Sequence, residues 1–219
     1  MPASPYLVPG FYDDALAKGR HRDIVGGRWD ETGRAQMAIL RDAGLLPHHQ
    51  LLDIGCGALR LGHMAVQYLD PGHYRGTDAS LALMRRGRDL ELANESRLPL
   101  DHLVEDADFS LPGIPDTIDF AIAFGVFTHL PAAMLRPALT SVRARLRHLD
   151  TLLLTVFLAP PGHAGAHRQP DGVVTHPDRP PYHRTAAEVE ADAAATGFTL
   201  SWQAVQLPRG QVLCHLKPA

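Results

Sequence analysis

The stretch that decides the fold is LLDIGCGALRLG, residues 51–62. Its apolar first half is long enough for a buried strand, and a G-C-G sequence at residues 55–57 follows it. Two glycines one residue apart allow the backbone to turn sharply and to approach a ligand closely. The next segment, residues 58–70, has apolar residues at helical spacing. The pattern predicts a strand, a glycine turn and a helix whose first N–H groups face a ligand above the turn.

Two classes of cofactor suit such a turn. A dinucleotide needs G-x-G-x-x-G, in which the third glycine allows close packing beside a pyrophosphate, but Arg60 occupies that third position. S-adenosylmethionine carries a sulfonium, an amino group and a carboxylate. Asp53 at the end of the strand suits its cationic part, and the free N–H groups suit its carboxylate. The turn therefore favours S-adenosylmethionine, and an ordinary strand-to-helix connection in another α/β enzyme is the alternative.

The sequence D-x-G-C-G at residues 53–57 resembles the first motif of the class I S-adenosylmethionine-dependent methyltransferases. Residues 73–80 (HYRGTDAS) then indicate a strand that ends in Asp78, with Ser80 able to cap the next helix. Asp78 lies about twenty residues past the turn, where α/β nucleotide folds place a carboxylate against ribose hydroxyls. The resemblance implies that role for Asp78 and a cofactor contact for Ala79. The alternative is a solvated loop aspartate.

Two later segments also resemble motifs of this family. In residues 101–112, Asp106-Ala107 matches the third motif, where an acidic side chain accepts a hydrogen bond from the adenine amino group, although Glu105 and Asp108 compete for that assignment. Residues 117–131 (TIDFAIAFGVFTHLP) resemble the fourth motif and form an apolar run typical of a central parallel strand. The cofactor-binding residues that the resemblance implies are Asp53, Gly55, Cys56, Gly57, Asp78, Ala79, Asp106, Ala107, Phe124 and Gly125.

Methyl transfer is an in-line displacement at a methyl group that the sulfonium already activates. The protein mainly aligns donor and acceptor and excludes water, which contributes about 7–11 kcal/mol in well-oriented reactions. A general base matters only when the acceptor must lose a proton. His129 is the candidate base, because it follows the fourth strand and imidazole titrates near neutrality. A packing role beside the cofactor is the alternative, and Tyr182 and His183 are weaker candidates.

No metal is expected. His163 and His167 are four residues apart, which suits two ligands on one helix, but the proline and glycine around them argue against a helix there. Some members of the family hold magnesium with Asp and Asn side chains after the fourth strand. Residues 124–127 of this chain, FGVF, contain no carboxylate, so a magnesium-dependent catechol enzyme is not expected.

Strands and helices alternate five times, and a helix and a hairpin follow them. This pattern predicts an α/β fold with a doubly wound, mostly parallel sheet and an antiparallel C-terminal strand. The resemblance implies a Rossmann-like sheet of seven strands in the order 3-2-1-4-5-7-6. The chain is expected to form one domain over residues 1–219, with an arm and helix at 1–44 as a candidate lid and an insertion at 159–184 after the fifth strand.

Local signals place two helices. Asp30 is the expected N-cap of a helix over residues 31–43, with Gly44 just past its end, and Trp29 before it either packs the helix against the sheet or folds over the cofactor. Pro137 is expected to break a longer helix, so that a new one runs from residue 137 to residue 148.

Composition limits the partners. The chain has 219 residues, a formal net charge of −3 and a hydrophobic fraction of 45%, which gives no general attraction to nucleic acid or to anionic membranes. Its two cysteines indicate neither a disulfide framework nor a zinc site. Residues 1–10 lack the pattern of a secretory signal, and no apolar run could span a bilayer. A cytoplasmic protein that binds neither nucleic acid nor membrane is expected, with its oligomeric state left open.

The first functional hypothesis is an S-adenosylmethionine-dependent methyltransferase that acts on an O, N or C atom of a small molecule, such as a specialised metabolite. The second is a relative that binds S-adenosylmethionine or S-adenosylhomocysteine without catalysis. A third, an NAD-dependent oxidoreductase, is disfavoured by Arg60. The sequence does not identify the acceptor.

Overall fold

The computed structural model describes residues 4–8 and 10–219. Strands and helices alternate along the chain around one main sheet. The described strands are β1 (Leu51–Ile54), β2 (Tyr74–Asp78), β3 (Leu103–Glu105), β4 (Phe120–Ala123), β5 (Thr151–Leu158), β6 (His167–Arg168), β7 (Val174–Thr175), β8 (His183–Arg184), β9 (Phe198–Gln203) and β10 (Val212–Pro218). The described α-helices are α1 (Asp13–Ala17), α2 (His21–Ile24), α3 (Trp29–Asp42), α4 (Gly62–Tyr68), α5 (Leu81–Glu91), α6 (Leu135–Arg145) and α7 (Ala186–Ala195).

The sheet has the predicted topology. Its strands follow the order β3-β2-β1-β4-β5-β10-β9, which confirms the expected order 3-2-1-4-5-7-6, and the short β8 joins the sheet beside β5. The strands from β1 to β5 pair in parallel, while β10 runs antiparallel to both β5 and β9. The strand order reverses between β1 and β4, so a crevice is expected at the carboxyl ends of these two strands.

Helices cover both faces of the sheet. All four residues of β1 and all four of β4 are buried, as a parallel sheet covered on both sides requires. Successive side chains of a strand face opposite sides. Leu51 therefore shares a core cluster with Leu40 of α3 and Ala65 of α4, whereas Leu52 shares another with Leu139 of α6. Each fully buried leucine contributes about 1.5–3 kcal/mol through the hydrophobic effect.

The helix after the glycine turn is shorter than predicted. The sequence pattern predicts a helix from residue 58, but α4 begins at Gly62. Leu59 has a φ of 63°, in the left-handed region, and an α-helix cannot include that conformation. The apolar spacing of residues 58–61 therefore reflects burial in a tight turn rather than helix.

The predicted N-cap of α3 is wrong by two residues. Asp30 lies inside the first turn, and Arg28 occupies the cap position with a φ of 47° and without a side-chain cap. The acidic residues Asp30 and Glu31 still favour this end of the helix, because the first turn carries partial positive charge. Gly44 has a φ of 100° just past the helix, as expected.

Pro137 does not break a helix. A 3₁₀ turn at Ala132–Met134 leads into α6, which starts at Leu135 and ends at Arg145. Pro137 therefore stands in the first turn, where the backbone N–H of an ordinary residue would have no partner within the helix. The prediction of a helix over residues 137–148 was wrong at both ends, because α6 starts at Leu135 and already ends at Arg145.

The insertion after β5 contains regular structure that the sequence pattern did not indicate. β6 and β7 pair as a short antiparallel hairpin, and β8 pairs in parallel with the last two residues of β5. The following helix α7 begins with a capping box, in which the Glu188 N–H donates to the Thr185 hydroxyl and the Glu188 carboxylate accepts from the Thr185 N–H.

Two expectations concern membranes and export. Across residues 4–8 and 10–219, no helix combines the length and the apolar character that a bilayer crossing requires. The expectation about a secretory signal falls partly on residues 1–3 and 9, which lie outside the described residues.

Candidate functional site

A cavity opens at the carboxyl ends of β1, β2 and β4. Its volume is about 180 Å³, and its lining comes from several separate segments of the chain. All eleven residues that the sequence analysis assigned to the site line this one cavity: Asp53, Gly55, Cys56, Gly57, Asp78, Ala79, Asp106, Ala107, Phe124, Gly125 and His129. The fold therefore brings together segments up to 76 residues apart in the sequence, here Asp53 and His129.

The glycine turn forms the floor of the cavity and needs both glycines. Gly55 and Gly57 have φ values of 72° and 54°. A Cβ on Gly55 would clash with Val126, and one on Gly57 would lie 2.8 Å from a methyl group of Val25. The Gly55 N–H donates to the Thr77 carbonyl over 2.7 Å, which ties the turn to the end of β2. The turn is thus fixed by backbone conformation and close packing together.

Asp78 connects the turn to β2 from the other side. Its carboxylate accepts a hydrogen bond from the Gly57 N–H at 2.9 Å and another from the Ser80 N–H at 3.2 Å. The residue is 9% exposed, so the alternative of a solvated loop aspartate was wrong. Burial raises the pKa of Asp78 to about 6, and the backbone N–H groups act against this shift by stabilising the ionised form.

Asp53 is a buried acid at the end of β1. It is 2% exposed, and the Tyr74 hydroxyl donates to its Oδ2 atom at 2.8 Å. Burial raises the pKa of Asp53 to about 7, against the opposing effects of the Tyr74 hydrogen bond and the Arg60 charge. A carboxyl group in this state is ionised most readily when a cation is placed beside it.

Asp106 also stabilises the loop after β3, a role that the sequence did not indicate. Its carboxylate accepts hydrogen bonds from the N–H groups of Asp108, Ser110 and Leu111, at 2.9–3.2 Å, and so organises the loop after β3. Its own N–H donates to the Asp78 carbonyl at 2.9 Å. Asp106 lines the cavity, and the competing candidates Glu105 and Asp108 are not among the residues that line it.

A chain of hydrogen bonds supports the loop after β4. The Gly125 N–H donates to the Thr155 hydroxyl at 2.8 Å, and that hydroxyl donates to Gln211 Oε1 at 2.5 Å. The Thr128 hydroxyl donates to the Gly125 carbonyl at 2.6 Å and closes the turn that presents His129. The position of Gly125 is therefore set by β5 and by the segment before β10.

His129 lies against the N-terminal arm, which comprises residues 4–8 and 10–28 of the described chain. Its ring is 4.9 Å from that of Tyr6 in an edge-to-face arrangement. Burial and the nearby charge of Arg209 lower the pKa of His129 to about 4, so the imidazole is neutral at pH 7. Its role as a general base remains a prediction. The weaker candidates Tyr182 and His183 do not line the cavity as described.

Several lining residues were missed by the sequence analysis. They come from the arm, from α3, from the glycine turn and from the connection between β9 and β10, and three of them carry a buried polar atom with no hydrogen-bond partner among the described residues. These three atoms are Ser4 Oγ, Gln36 Oε1 and Arg60 Nε. Buried polar groups are rarely left unpaired, so these three atoms are available to hydrogen-bond with water or with a polar ligand in the cavity.

Arg60 attaches the arm to the glycine turn. Its Nη1 atom donates to the carbonyls of Val25 at 2.9 Å and Gly27 at 3.2 Å. Burial lowers the pKa of Arg60 to about 10, and the Asp53 charge acts in the opposite direction. Arg60, which departs from the dinucleotide pattern, is therefore a buried cation beside the glycine turn.

Trp29 packs rather than covering the cavity. It is 8% exposed, stacks on His63 with ring centroids 5.7 Å apart, and belongs to a core cluster with Ala58 and Leu83. The part of the chain that the structure describes holds no group of three or more His, Cys, Asp or Glu side chains placed to bind a metal ion.

The chain matches known proteins in two comparisons. A family model described as "Methyltransferase domain" matches residues 52–149. Magnesium protoporphyrin IX methyltransferase from Synechocystis PCC 6803, solved with bound SAM, is similar in structure, with a TM-score of 0.64 and 16% identity over 95% of this chain and 94% of that one. A search of curated proteins gives no match.

Two further solved structures are similar over nearly their full length. An amino pentose methyltransferase from Micromonospora echinaspora has a TM-score of 0.59 and 19% identity over 94% of this chain and 96% of that one. A sugar N-methyltransferase from Streptoalloteichus sp ATCC 53650 has a TM-score of 0.60 and 17% identity over 94% and 93%. The chain therefore has the fold of these solved methyltransferases, and its residues 52–149 match the methyltransferase family model.

Proposed function

We propose that this protein transfers the methyl group of S-adenosylmethionine to an O, N or C atom of a small molecule of the specialised-metabolite kind. The observation that carries the proposal is that eleven residues chosen from four sequence motifs line one cavity, together with three unpartnered buried polar atoms. Bound S-adenosylmethionine supplies a methyl group activated by a positively charged sulfur.

The residues of the cavity fit the polar groups of this cofactor. Gln36 Oε1 can accept a hydrogen bond from an ammonium group, and the Asp53 carboxyl group lines the same cavity. Arg60 Nε can donate to a carboxylate. Asp78 is left to bind the ribose hydroxyls, and Asp106 to accept from the adenine amino group. Because Gln36 Oε1 and Arg60 Nε are buried and have no partner among the described residues, a ligand with both charges would satisfy these two atoms.

The arm contributes a roof over the cavity. Tyr6 and Tyr12 line it, and Arg60 and Arg209 hold the arm through carbonyls at Val25, Gly26 and Gly27. A roof of this kind excludes water from donor and acceptor, which favours displacement at the methyl carbon over side reactions. We therefore assign residues 4–28, rather than the whole segment 1–44, as the lid.

A small acceptor is supported by the similar structures. These proteins are methyltransferases of magnesium protoporphyrin IX, of an amino pentose and of a sugar nitrogen. Net charge also supports it, because the value of −3 provides no general attraction to nucleic acid.

A reducing, cytoplasmic setting is part of the proposal. Cys56 in the glycine turn and Cys214 in β10 are both free and buried. Burial raises the pKa of Cys56 well above its usual value, so its thiol stays protonated and unreactive. Unbridged cysteines are typical of proteins from reducing compartments.

Calorimetric titration with S-adenosylhomocysteine and with NADH tests the cofactor, and a small-molecule extract incubated with methyl-labelled S-adenosylmethionine tests the transfer. We expect S-adenosylhomocysteine to bind, NADH not to bind, and label to enter an extract component. Binding without any transfer of label would support the non-catalytic alternative. Binding of NADH alone would overturn the proposal.

A further inference from the structure

One end of the cavity is built from the arm, the β4 loop and the connection between β9 and β10. Tyr6 and His129 are in ring contact there, and the charge of Arg209 acts on both of them. Gln211 is joined to the same place through the Thr155 hydroxyl and the Gly125 N–H. None of these residues is needed to explain the cofactor contacts proposed above, so this end is free for the acceptor.

The orientation of the Gln211 amide follows from its neighbours. The Thr155 hydroxyl accepts from the Gly125 N–H, so its own proton is free to be donated, and it goes to Gln211 Oε1. The oxygen of the amide is thereby occupied. The NH₂ group of Gln211 is the part that can donate to a ligand in the cavity, which Gln211 lines at 8% exposure.

Arg209 is held in place without its charge being neutralised. Its backbone N–H donates to Asp171 Oδ2 at 2.8 Å, and Arg28 Nη1 donates to the same oxygen at 3.1 Å. Its guanidinium donates to the Gly26 carbonyl. Among the described residues, no carboxylate lies within ion-pair distance of that guanidinium. Arg209 also has a φ of 66°, a strained conformation that is concentrated at functional sites in proteins.

The acids that line the cavity accept their hydrogen bonds away from this end. Asp53 accepts from Tyr74, Asp78 from the glycine turn, and Asp106 from its own loop. The end formed by Tyr6, His129, Arg209 and Gln211 therefore presents a fixed cation, an amide donor and a hydroxyl, with no negative charge of its own. An Arg guanidinium and a neighbouring N–H donor match the two oxygens of a carboxylate.

We propose that this end of the cavity is the acceptor subsite, and that the acceptor is an organic acid whose carboxylate binds the Arg209 guanidinium and the Gln211 amide. The inference rests on the proposed function, because it takes the other end of the cavity to hold S-adenosylmethionine. It narrows the acceptor from any small molecule to the anionic ones.

The test is calorimetric titration of the protein saturated with S-adenosylhomocysteine. The probes are benzoate, phenylacetate and octanoate, each beside its primary amide, together with phenylphosphonate. We expect at least one carboxylate to bind about tenfold more tightly than its amide, since one good charge-assisted interaction has roughly this effect. In Arg209→Gln the ratio of the amide Kd to the carboxylate Kd should fall to about one. In Arg209→Lys part of this preference for the carboxylate should remain.

The control is Arg179→Gln, which removes an exposed charge from the insertion without altering the cavity lining. This variant should still bind the carboxylate more tightly than its amide. Three results would overturn the inference: no acid preferred over its amide, a preference that survives in Arg209→Gln, or phenylphosphonate bound more tightly than every carboxylate. S-adenosylhomocysteine affinity is measured in the same samples, so an unfolded variant or a failure of the proposed function is recognised separately.

Discussion

The carboxylate of Asp78 accepts a hydrogen bond from the Gly57 N–H at 2.9 Å, and this contact joins the end of β2 to the glycine turn that follows β1. The two residues are 21 positions apart and both line the cavity. The acid therefore supports the turn and is also available to a ligand. Structure and binding depend on the same side chain.

Asp78→Ala should weaken S-adenosylhomocysteine binding. It leaves the Gly57 N–H without its partner and removes the acceptor proposed for the ribose, and each such loss is worth about 1–3 kcal/mol. The expected result is at least about a tenfold higher Kd by calorimetry. Asp178→Ala, an exposed aspartate of the insertion, is the matched control and should bind as the wild type does. Equal affinity in both variants would remove Asp78 from the site.

Gly57→Ala should destabilise the protein more than a change at an open glycine. Both Gly57 and Gly19 have positive φ values, 54° and 68°, so alanine is strained at either position. Only at Gly57 would the new Cβ press against Val25, whereas nothing lies within 4 Å at Gly19. We expect Gly57→Ala to lower the free energy of unfolding by about 1–3 kcal/mol more than Gly19→Ala, as overpacking does. Denaturant unfolding measures the difference, and equal losses would contradict the close approach of arm and turn.

Asp53→Asn should change how stability depends on pH. Burial raises the folded-state pKa of Asp53 from 3.8 to about 7. Between these values the folded state keeps a proton that the unfolded state has lost, so this group makes stability fall as pH rises through that window. Asn cannot ionise. The variant should therefore gain unfolding free energy relative to wild type when pH is raised from about 5 to about 8. A constant difference across that range would show that Asp53 is not a raised-pKa acid.

Arg209→Gln should raise the pKa of His129. The Arg209 charge is one of two causes that lower this pKa to about 4, the larger being burial. Removing the charge leaves burial alone, so the imidazole should titrate closer to its ordinary value of 6.5. Nuclear magnetic resonance of the His129 ring follows the titration directly. An unchanged or lower pKa would place Arg209 too far from His129 for the acceptor subsite described above.

Much of the site could be predicted because its residues stand in local patterns. The glycine turn and Asp78 are recognised from a strand followed by a turn, and each lies where a parallel strand ends. Parallel strands of one sheet present these ends along one edge, so local patterns were enough to bring them together. The exact helix limits were harder. The apolar spacing around Leu59 fits both a helix and a tight turn, and a proline at position 137 fits both a helix break and a first helical turn. Only the neighbouring structure decides between these possibilities.

The roof and the acceptor end could not be predicted. Gln36 is a buried residue of α3, Tyr6 belongs to the arm and Arg209 to the connection between β9 and β10, and nothing in their spacing relates them to one another. Their proximity depends on how the arm crosses the glycine turn, where Arg60 holds the carbonyls of Val25 and Gly27. In the sequence, Arg60 indicates only a departure from the dinucleotide pattern. Its contribution is visible only in three dimensions.

The central claim is that one cavity holds S-adenosylmethionine with its adenosyl group at Asp78 and Asp106 and its charged tail at Gln36 and Arg60. A crystal structure with S-adenosylhomocysteine tests it most directly. We expect the ribose hydroxyls against the Asp78 carboxylate, the amino acid tail against Gln36 and Arg60, and the sulfur facing His129 and Arg209. The ligand bound elsewhere, or bound with its tail at Arg209, would contradict it.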